Sequence, residues 1–230
     1  MTEKIGFVGY ESEDIVLFLA YCLKEQGKHV VIEDRSEQGI LLRMLEMGGN
    51  LIHGEATEVF FQEILVTNAV AHSEDYDMVL MLFGYRLRHP KLYECNKLVL
   101  ITDTLPAHAA LLREIEEWER KQVLLVRNYA ECKHGLRYLE LLTGQRTEAV
   151  FCIPWEERDV RIRNSLGTAE HVRVERLSVQ MRDTIYQLLA FLLSDGVKTL
   201  QQEKERGKGV WGSWLLSGLR LQDRQGLRHP

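Results

Sequence analysis

Cysteine is scarce in this sequence, and its spacing excludes the usual metal sites. The 230 residues include only four cysteines, Cys22, Cys95, Cys132 and Cys152, and no two of them form a CxxC pair. No cysteine lies at metal-ligand spacing from a histidine, and no two histidines form an HxH or HxxxH pattern. Because zinc sites are built from such close pairs, we expect no metal, and we expect reduced, mostly buried thiols.

Long hydrophobic runs and a strong charge of one sign are also missing. The longest apolar stretch covers roughly residues 185–193 and is interrupted by Gln187, whereas a membrane-spanning helix needs ~20 apolar residues. The sequence does not open with a secretory leader, so we expect a cytoplasmic protein. A formal net charge of −5 gives no indication of nucleic-acid contact.

The sequence does contain a regular alternation of short apolar runs and amphipathic segments over about its first 155 residues. This alternation is typical of an α/β protein with a mainly parallel, twisted sheet and helices on both faces. The apolar runs predict about seven strands, over residues 5–9, 29–32, 59–66, 78–83, 98–101, 123–126 and 149–153. The periodic segments predict helices over residues 12–27, 37–47, 104–118, 136–142 and about 177–204.

The last part of the chain differs in composition from the rest. We predict one α/β domain over residues 1–200 and a basic tail, rich in Gly, Arg and Gln, over residues 201–230. The tail carries an amphipathic patch formed by Trp211, Trp214, Leu215 and Leu219. This patch favours contact with a protein partner or peripheral contact with the inner face of a membrane, and packing against the parent domain is the alternative.

The loop after the first strand lies where many α/β proteins bind phosphate, at the start of a helix. A phosphate-binding loop needs several glycines, a lysine for the β- and γ-phosphates and a Ser or Thr for magnesium. Between the strand and the helix this sequence has Gly9, Tyr10, Glu11 and Ser12, with two further acids at residues 13 and 14 and no lysine. The loop is therefore predicted not to bind ATP in the usual way, because like charges would face the phosphates.

Several segments, in order, resemble those of MinD/ParA-type P-loop ATPases over about residues 4–167. Asp34 ends the second strand and is followed by Gln38 and Gly39, which resemble the acid and the turn of that family. The strand over residues 75–82 resembles the one that carries the magnesium-linked acid, and Leu82 occupies the place of that acid. Asn128 ends a strand that resembles the base-contacting strand.

The resemblance implies a P-loop NTPase-like fold of the MinD/ParA type (SIMIBI class) and, from the family's habits, a homodimer or a hetero-assembly. The departures imply a pseudo-ATPase with no bound cofactor and no catalytic residue, since the phosphate and metal positions are lost together. We therefore expect a non-catalytic scaffold or positioning protein that binds a protein partner. The TadZ/CpaE-like proteins of pilus and secretion assemblies are relatives of this kind, and partitioning is the other setting. The expected degenerate nucleotide-site positions are Gly9, Tyr10, Glu11, Ser12, Asp34, Gln38, Leu82 and Asn128.

Other interpretations of the whole chain remain open from sequence. A Rossmann-type dinucleotide enzyme would use the G-x-x-G-x-x-S turn that ends at Ser12, with Glu33 or Asp34 on the ribose. A receiver-like or other flavodoxin-like module would need an acidic cluster after the first strand and a lysine after the fifth, and the sequence offers neither arrangement cleanly.

Individual residues also have simpler interpretations. Asp34 could cap a turn, and Asn128 could be a strand-end residue in a left-handed conformation. Asp103 and His108 are predicted to be surface groups, and the arginines at positions 158, 161 and 163 are predicted to form a solvated face.

Overall fold

The computed structural model describes residues 2–48, 57–69, 73–116, 120–130, 135–168 and 173–194. The chain divides into two units at Ile185/Tyr186, and of the second unit the structure describes residues 186–194. Within the described ranges there are eight strands: β1 Glu3–Gly9, β2 Val30–Asp34, β3 Glu58–Phe61, β4 Ile64–Thr67, β5 Met78–Gly84, β6 Lys97–Thr102, β7 Lys121–Tyr129 and β8 Ala149–Pro154. The six α-helices there are α1 Glu13–Glu25, α2 Ile40–Gly48, α3 Pro106–Leu111, α4 Leu136–Thr143, α5 Glu157–Ser165 and α6 Val179–Leu193.

The strands form one sheet in the order β3-β4-β2-β5-β1-β6-β7-β8. Every neighbouring pair is parallel except β3 and β4, which are antiparallel. The central strands β1 and β5 are nearly continuous runs of buried apolar residues, as expected for strands covered on both faces. The predicted α/β fold with a mainly parallel sheet is confirmed.

The strand order excludes the two alternative folds. In this sheet β5 lies between β1 and β2, and β1 pairs with β5 and β6. In the Rossmann and flavodoxin-like orders the first and second strands are neighbours. The first loop therefore belongs to neither a dinucleotide fold nor a receiver-like fold.

The single strand predicted over residues 59–66 is wrong, because that segment is a hairpin. Gln62 and Glu63 have φ values of 52° and 65°, and they form a two-residue turn between β3 and β4. A turn with two positive φ angles matches the twist of the antiparallel strands that flank it. The polar pair that interrupts the apolar run is therefore the turn, and the sheet has eight strands where about seven were predicted.

Two consecutive residues of β2 show on which face of the sheet the segments that follow β2 and β5 lie. Asp34 accepts hydrogen bonds from the backbone N–H groups of Leu41 and Leu42 in α2. Its neighbour Glu33 accepts one from Lys91 Nζ, in the 3₁₀ turn Pro90–Glu94 that follows β5. Because successive strand residues point to opposite faces, α2 and this 3₁₀ turn lie on opposite faces of the sheet.

The core on the face of the 3₁₀ turn joins strand residues to the segments that follow β5, β6 and β7. Its fully buried members include Val79, Met81, Phe83, Leu92, Leu98, Leu100, Ala109, Leu112, Leu124, Val126 and Leu139. The cluster includes residues of α3 and α4, so both helices lie on this face.

The helices differ from the prediction at α3 and α5, and the predicted end of α6 is not tested. The helix predicted from residue 104 through Trp118 ends at Leu111 and continues as the 3₁₀ turn Leu112–Glu114, while Trp118 lies outside the described residues. Helix α5 was missed because its sequence is dominated by Glu and Arg and carries almost no apolar stripe. Helix α6 is described as far as Leu193, so its predicted end near residue 204 lies outside the described residues, and Val179 on its predicted apolar face is exposed.

Candidate functional site

Gly9 ends β1 at the closest approach of two strands. Its φ is +115°, and a Cβ atom at this position would lie 2.0 Å from the backbone oxygen of Ile101 in β6. Tyr10 N–H donates to the same oxygen over 2.9 Å. Only glycine fits this contact, so Gly9 has a structural role that requires no bound phosphate.

The loop between β1 and α1 is short and is held from within. Glu11 has a left-handed φ of 38°, and Ser12 is the N-cap residue of α1. The Ser12 hydroxyl is buried and makes no capping hydrogen bond, and the structure shows no partner for it in the described ranges. The first turn uses Asp14 instead, whose Oδ1 accepts from the Ile15 N–H over 2.9 Å.

Arg127 of β7 neutralises Asp14 beneath this loop. Its Nη1 and Nη2 donate to the two Asp14 carboxylate oxygens over 2.6 and 2.7 Å, and both side chains are buried. Nη1 also donates to the backbone oxygen of Glu11. Burial alone would lower the pKa of Arg127, but the Asp14 carboxylate outweighs burial and the pKa is raised. A guanidinium from the far half of the chain therefore fixes both the loop and the start of α1.

A second arginine neutralises the loop from α5. Arg163 Nη1 donates to Glu11 Oε2. The predicted solvated face of three arginines is therefore incomplete as a description, because Arg163 turns toward the loop while Arg161 forms an exposed pair with Glu157. Glu13 is the loop acid for which no such arginine partner is seen among the described residues, and burial raises its pKa above the ordinary value.

Tyr10 belongs to an aromatic and histidine cluster at the carboxyl ends of β1, β5 and β6. Its ring stacks on His108 with centroids 5.0 Å apart, and Tyr85 tilts against the same histidine at 6.5 Å. His108 Nδ1 lies 3.0 Å from Asp103 Oδ2, although the ring N–H is not aligned for a full hydrogen bond. Burial, and after it the Asp103 carboxylate, raises the pKa of Tyr85 to about 12. The prediction that Asp103 and His108 are surface groups is wrong for Asp103, which is buried, and the two side chains lie close together.

Asp34 is a buried cap at the carboxyl end of β2. Its Oδ1 accepts from the N–H and the hydroxyl of Ser36, and its Oδ2 accepts from the N–H groups of Leu41 and Leu42. Four donors satisfy this carboxylate, and its negative charge offsets the N-terminal dipole of α2. In this arrangement Asp34 holds the β2–α2 turn together.

The β2–α2 turn borders a cavity of about 870 Å³. Gln38 is exposed on this turn and lines the cavity with Gly39 and one side of α2. The opposite wall comes from Arg86 and His89, which follow β5. The predicted site residues thus separate into two places, because Gly9 to Ser12 lie at β1 while Asp34 and Gln38 border this cavity.

Leu82 and Asn128 complete the set of predicted positions. Leu82 is fully buried in β5, paired with Phe7 on one side and Asp34 on the other, and offers only its backbone oxygen, which accepts from the Arg35 N–H. Asn128 has a left-handed φ of 50° and lies where the pairing of β7 with β8 shifts register. Such a bulge needs a residue that tolerates positive φ, which asparagine does.

The most informative residues of the site were not found from sequence. Arg127 lies 113 positions from Asp14, so nothing local predicts their contact. The available signal was a charged residue that follows an apolar strand, because a buried arginine needs an acidic partner. The tail residues Trp211, Trp214, Leu215 and Leu219 lie outside the described residues, and no helix of the described chain is long and apolar enough to cross a bilayer.

Comparison with solved structures identifies the fold. A ParA family ATPase from Chlorobium tepidum TLS matches with a TM-score of 0.63 at 16% identity, over 83% of this chain and 99% of the other. MinC:MinD cell division protein complex from Aquifex aeolicus matches at 0.57 and 13% identity, over 82% and 96%. Cobyrinic acid a,c-diamide synthase from Mycobacterium smegmatis matches at 0.53 and 18% identity, over 84% and 96%. The sequence itself matches no protein-family model and no curated protein. This chain therefore has the α/β fold of the ParA and MinD P-loop ATPases.

Proposed function

We propose that this protein is a non-catalytic member of the ParA/MinD structural class that acts by binding a protein partner, as a scaffold or positioning factor. The observation that carries the proposal is the buried pair of Arg127 and Asp14, together with the contact of Arg127 with the Glu11 backbone. A loop that binds phosphate must leave its N–H groups and a lysine free to face the ligand. Here the loop has no lysine, and two of its three acids, Glu11 and Asp14, are held by arginines.

The metal position supports the same proposal. A magnesium-linked acid on β5 would be needed to hold the ion beside the phosphates, and the resemblance assigns that place to Leu82. A fully buried leucine offers no oxygen ligand from its side chain, and Mg²⁺ requires oxygen ligands. Asp34, the other acid of the resemblance, already accepts from four donors.

Exposed apolar side chains at the carboxyl ends of the strands support a partner-binding role. Tyr85 after β5, Leu105 after β6 and Trp155 after β8 are 45%, 54% and 58% exposed. All three follow parallel strands, so they lie along the same edge of the sheet. Aromatic and large apolar residues are enriched in the centres of protein interfaces. We name Tyr85, Leu105 and Trp155 the edge patch.

The setting follows from the resemblance and from the structural matches. The resemblance to TadZ/CpaE-like proteins supports a role in pilus or secretion assembly. A structural match to a putative plasmid partition protein from Borrelia burgdorferi B31, with a TM-score of 0.53 at 10% identity, supports partitioning. One matching structure is a complex of MinD with MinC, which is a precedent for a protein partner on this fold. We infer that the partner here is a second copy of this chain or another protein of the same assembly.

Partner capture with matched variants tests the proposal. Full-length wild type, a Leu105→Ser/Trp155→Ser variant and a Leu141→Ser control are immobilised, and captured proteins are identified by mass spectrometry. Leu141 on α4 is 66% exposed and lies outside the edge patch. Light scattering on the same three proteins reports self-association. The proposal expects the edge variant alone to lose its captured protein or its dimer, and equal capture and equal mass for all three would contradict it.

A further inference from the structure

The cavity of about 870 Å³ lies at a position where open α/β sheets bind ligands. It opens at the carboxyl ends of β2 and β5, two neighbouring parallel strands whose following segments leave to opposite faces of the sheet. Crevices of this kind form where connections diverge, and this volume is within the range of small-molecule sites. The loop after β1 does not line the cavity, and the residues of the nucleotide resemblance that do line it are Asp34, Gln38 and Gly39.

Two of the charged residues that line the cavity are fully engaged by the protein. Asp34 accepts four hydrogen bonds, as described above. Arg35 donates from Nε and Nη2 to Glu33 Oε2, and it also donates to the backbone oxygens of Asn68 and Ala69. These two residues therefore build the floor of the cavity and leave little capacity for a ligand.

Two cations and two acids on the cavity wall keep capacity to bind. Arg86 uses only Nη1, which donates to the Arg35 backbone oxygen, and Arg43 on α2 shows no side-chain partner among the described residues. Glu46 Oε1 is buried and accepts no hydrogen bond from the residues that the structure describes. Glu37 is exposed. A buried carboxylate oxygen without a donor is costly, so Glu46 is a place where a ligand N–H or O–H would be stabilised.

The wall that follows β5 is positive. Burial lowers the pKa of His89, and the nearby charges of Arg86, Arg35 and Lys91 lower it further. The α2 side of the cavity carries both signs of charge, on Arg43 and Glu46. Arg43 and Glu46 are three residues apart on the helix, so their side chains are neighbours on the same face. The cavity is thus lined by two guanidinium groups with free capacity and by the Glu46 carboxylate.

We propose that this cavity binds a small zwitterion of the α-amino-acid class, with the ligand carboxylate on Arg86 and Arg43 and the ligand ammonium on Glu46. A polyanion fits less well, because the groups with free capacity carry two charges of each sign. A simple cation fits less well for the same reason. Bidentate guanidinium–carboxylate contacts supply the orientation that such a ligand needs.

Titration calorimetry of the full-length protein against the standard L-amino acids is the first test. The amino acid that binds is then compared with its analogue lacking the amino group and its analogue lacking the carboxylate; for L-glutamine these are 4-carbamoylbutanoate and 4-aminobutanamide. Each charged hydrogen bond lost should weaken binding by roughly tenfold to a hundredfold. Inorganic phosphate and citrate are titrated as simple anions and should bind no better than the analogues.

Three variants separate the site from the rest of the surface. Arg86→Ala and Glu46→Gln should each lower the affinity for the amino acid by roughly tenfold or more, whereas Arg88→Ala should leave that affinity unchanged. Arg88 is two residues from Arg86 but pairs with Glu114 outside the cavity. Circular dichroism and thermal unfolding confirm that each variant is folded. Three results would each overturn the proposal. These are the absence of binding by every amino acid, wild-type affinity in the Arg86→Ala and Glu46→Gln variants, and tighter binding of citrate or phosphate than of any amino acid.

Discussion

Arg127 and Asp14 join the end of β7 to the first turn of α1 through two parallel hydrogen bonds of 2.6 and 2.7 Å. The side chains are 5% and 1% exposed, so solvent does not weaken the attraction between them. The same guanidinium reaches the Glu11 backbone, and the pair therefore fixes the loop that a phosphate would otherwise occupy.

Removal of one member of this pair should destabilise the protein strongly. Arg127→Met leaves Asp14 buried without its partner, and a loss of about 3–5 kcal/mol in the free energy of unfolding is expected. Arg127→Met/Asp14→Leu removes both charges and should recover much of that loss. Arg161→Ala is the matched control, because Arg161 and Glu157 are 76% and 66% exposed, and it should cost less than about 1 kcal/mol. Urea unfolding measures all three, and an Arg127 variant as stable as the Arg161 variant would refute the buried pair.

Gly9 should tolerate no side chain. A Cβ atom would lie 2.0 Å from the Ile101 oxygen at a φ of +115°, so Gly9→Ala is expected to cost roughly 3 kcal/mol or more. Gly135→Ala is the control, since no atom of the described residues lies within 4 Å of its added Cβ, and it should change stability by less than about 1 kcal/mol. Thermal unfolding distinguishes the two, and equal melting temperatures would show that β1 and β6 do not approach as described.

Asn128 should be replaceable by glycine but not by valine. Its φ of 50° suits glycine, so Asn128→Gly should leave stability within about 1 kcal/mol of wild type. Asn128→Val forces a β-branched residue into the left-handed region and should cost about 1–2 kcal/mol or more. Urea unfolding provides the comparison. If the Asn128→Val variant were as stable as wild type, the bulge in β7 would not explain the asparagine at position 128.

His89 should titrate at a lower pH than an ordinary histidine. Its pKa lies below 6.5 because of burial and of Arg86, Arg35 and Lys91. Between that lowered pKa and pH 6.5, the unfolded chain binds more protons at His89 than the folded chain does. The contribution of His89 to stability is therefore complete above pH 6.5 and is lost as the pH falls through this window. Arg86→Ala should raise the pKa of His89, and Arg88→Ala should not. NMR titration of the His89 ring, assigned with His89→Gln, measures the pKa of His89 in wild type and in both variants. Identical pKa values in wild type and Arg86→Ala would contradict the positive wall of the cavity.

The fold could be predicted from sequence because its strongest signals are local. The apolar run over residues 78–83 and the helical stripe that begins after Ser12 each need only neighbouring residues to be recognised. The hairpin was missed because Gln62 and Glu63 lack the asparagine or glycine that usually marks such a turn. The Arg127–Asp14 pair and the stacking of Tyr10 on His108 join distant parts of the chain, so periodicity and spacing carry no information about them.

The central claim is that the nucleotide site of this fold is lost here, and calorimetric titration of the full-length protein with Mg²⁺ and ATP tests it most directly. A phosphate-release assay on the same sample reports turnover. We predict no saturable heat in the micromolar to millimolar range and no phosphate release above buffer, because the loop after β1 has no lysine and is closed by Arg127 and Arg163. Micromolar binding of ATP accompanied by turnover would contradict the account.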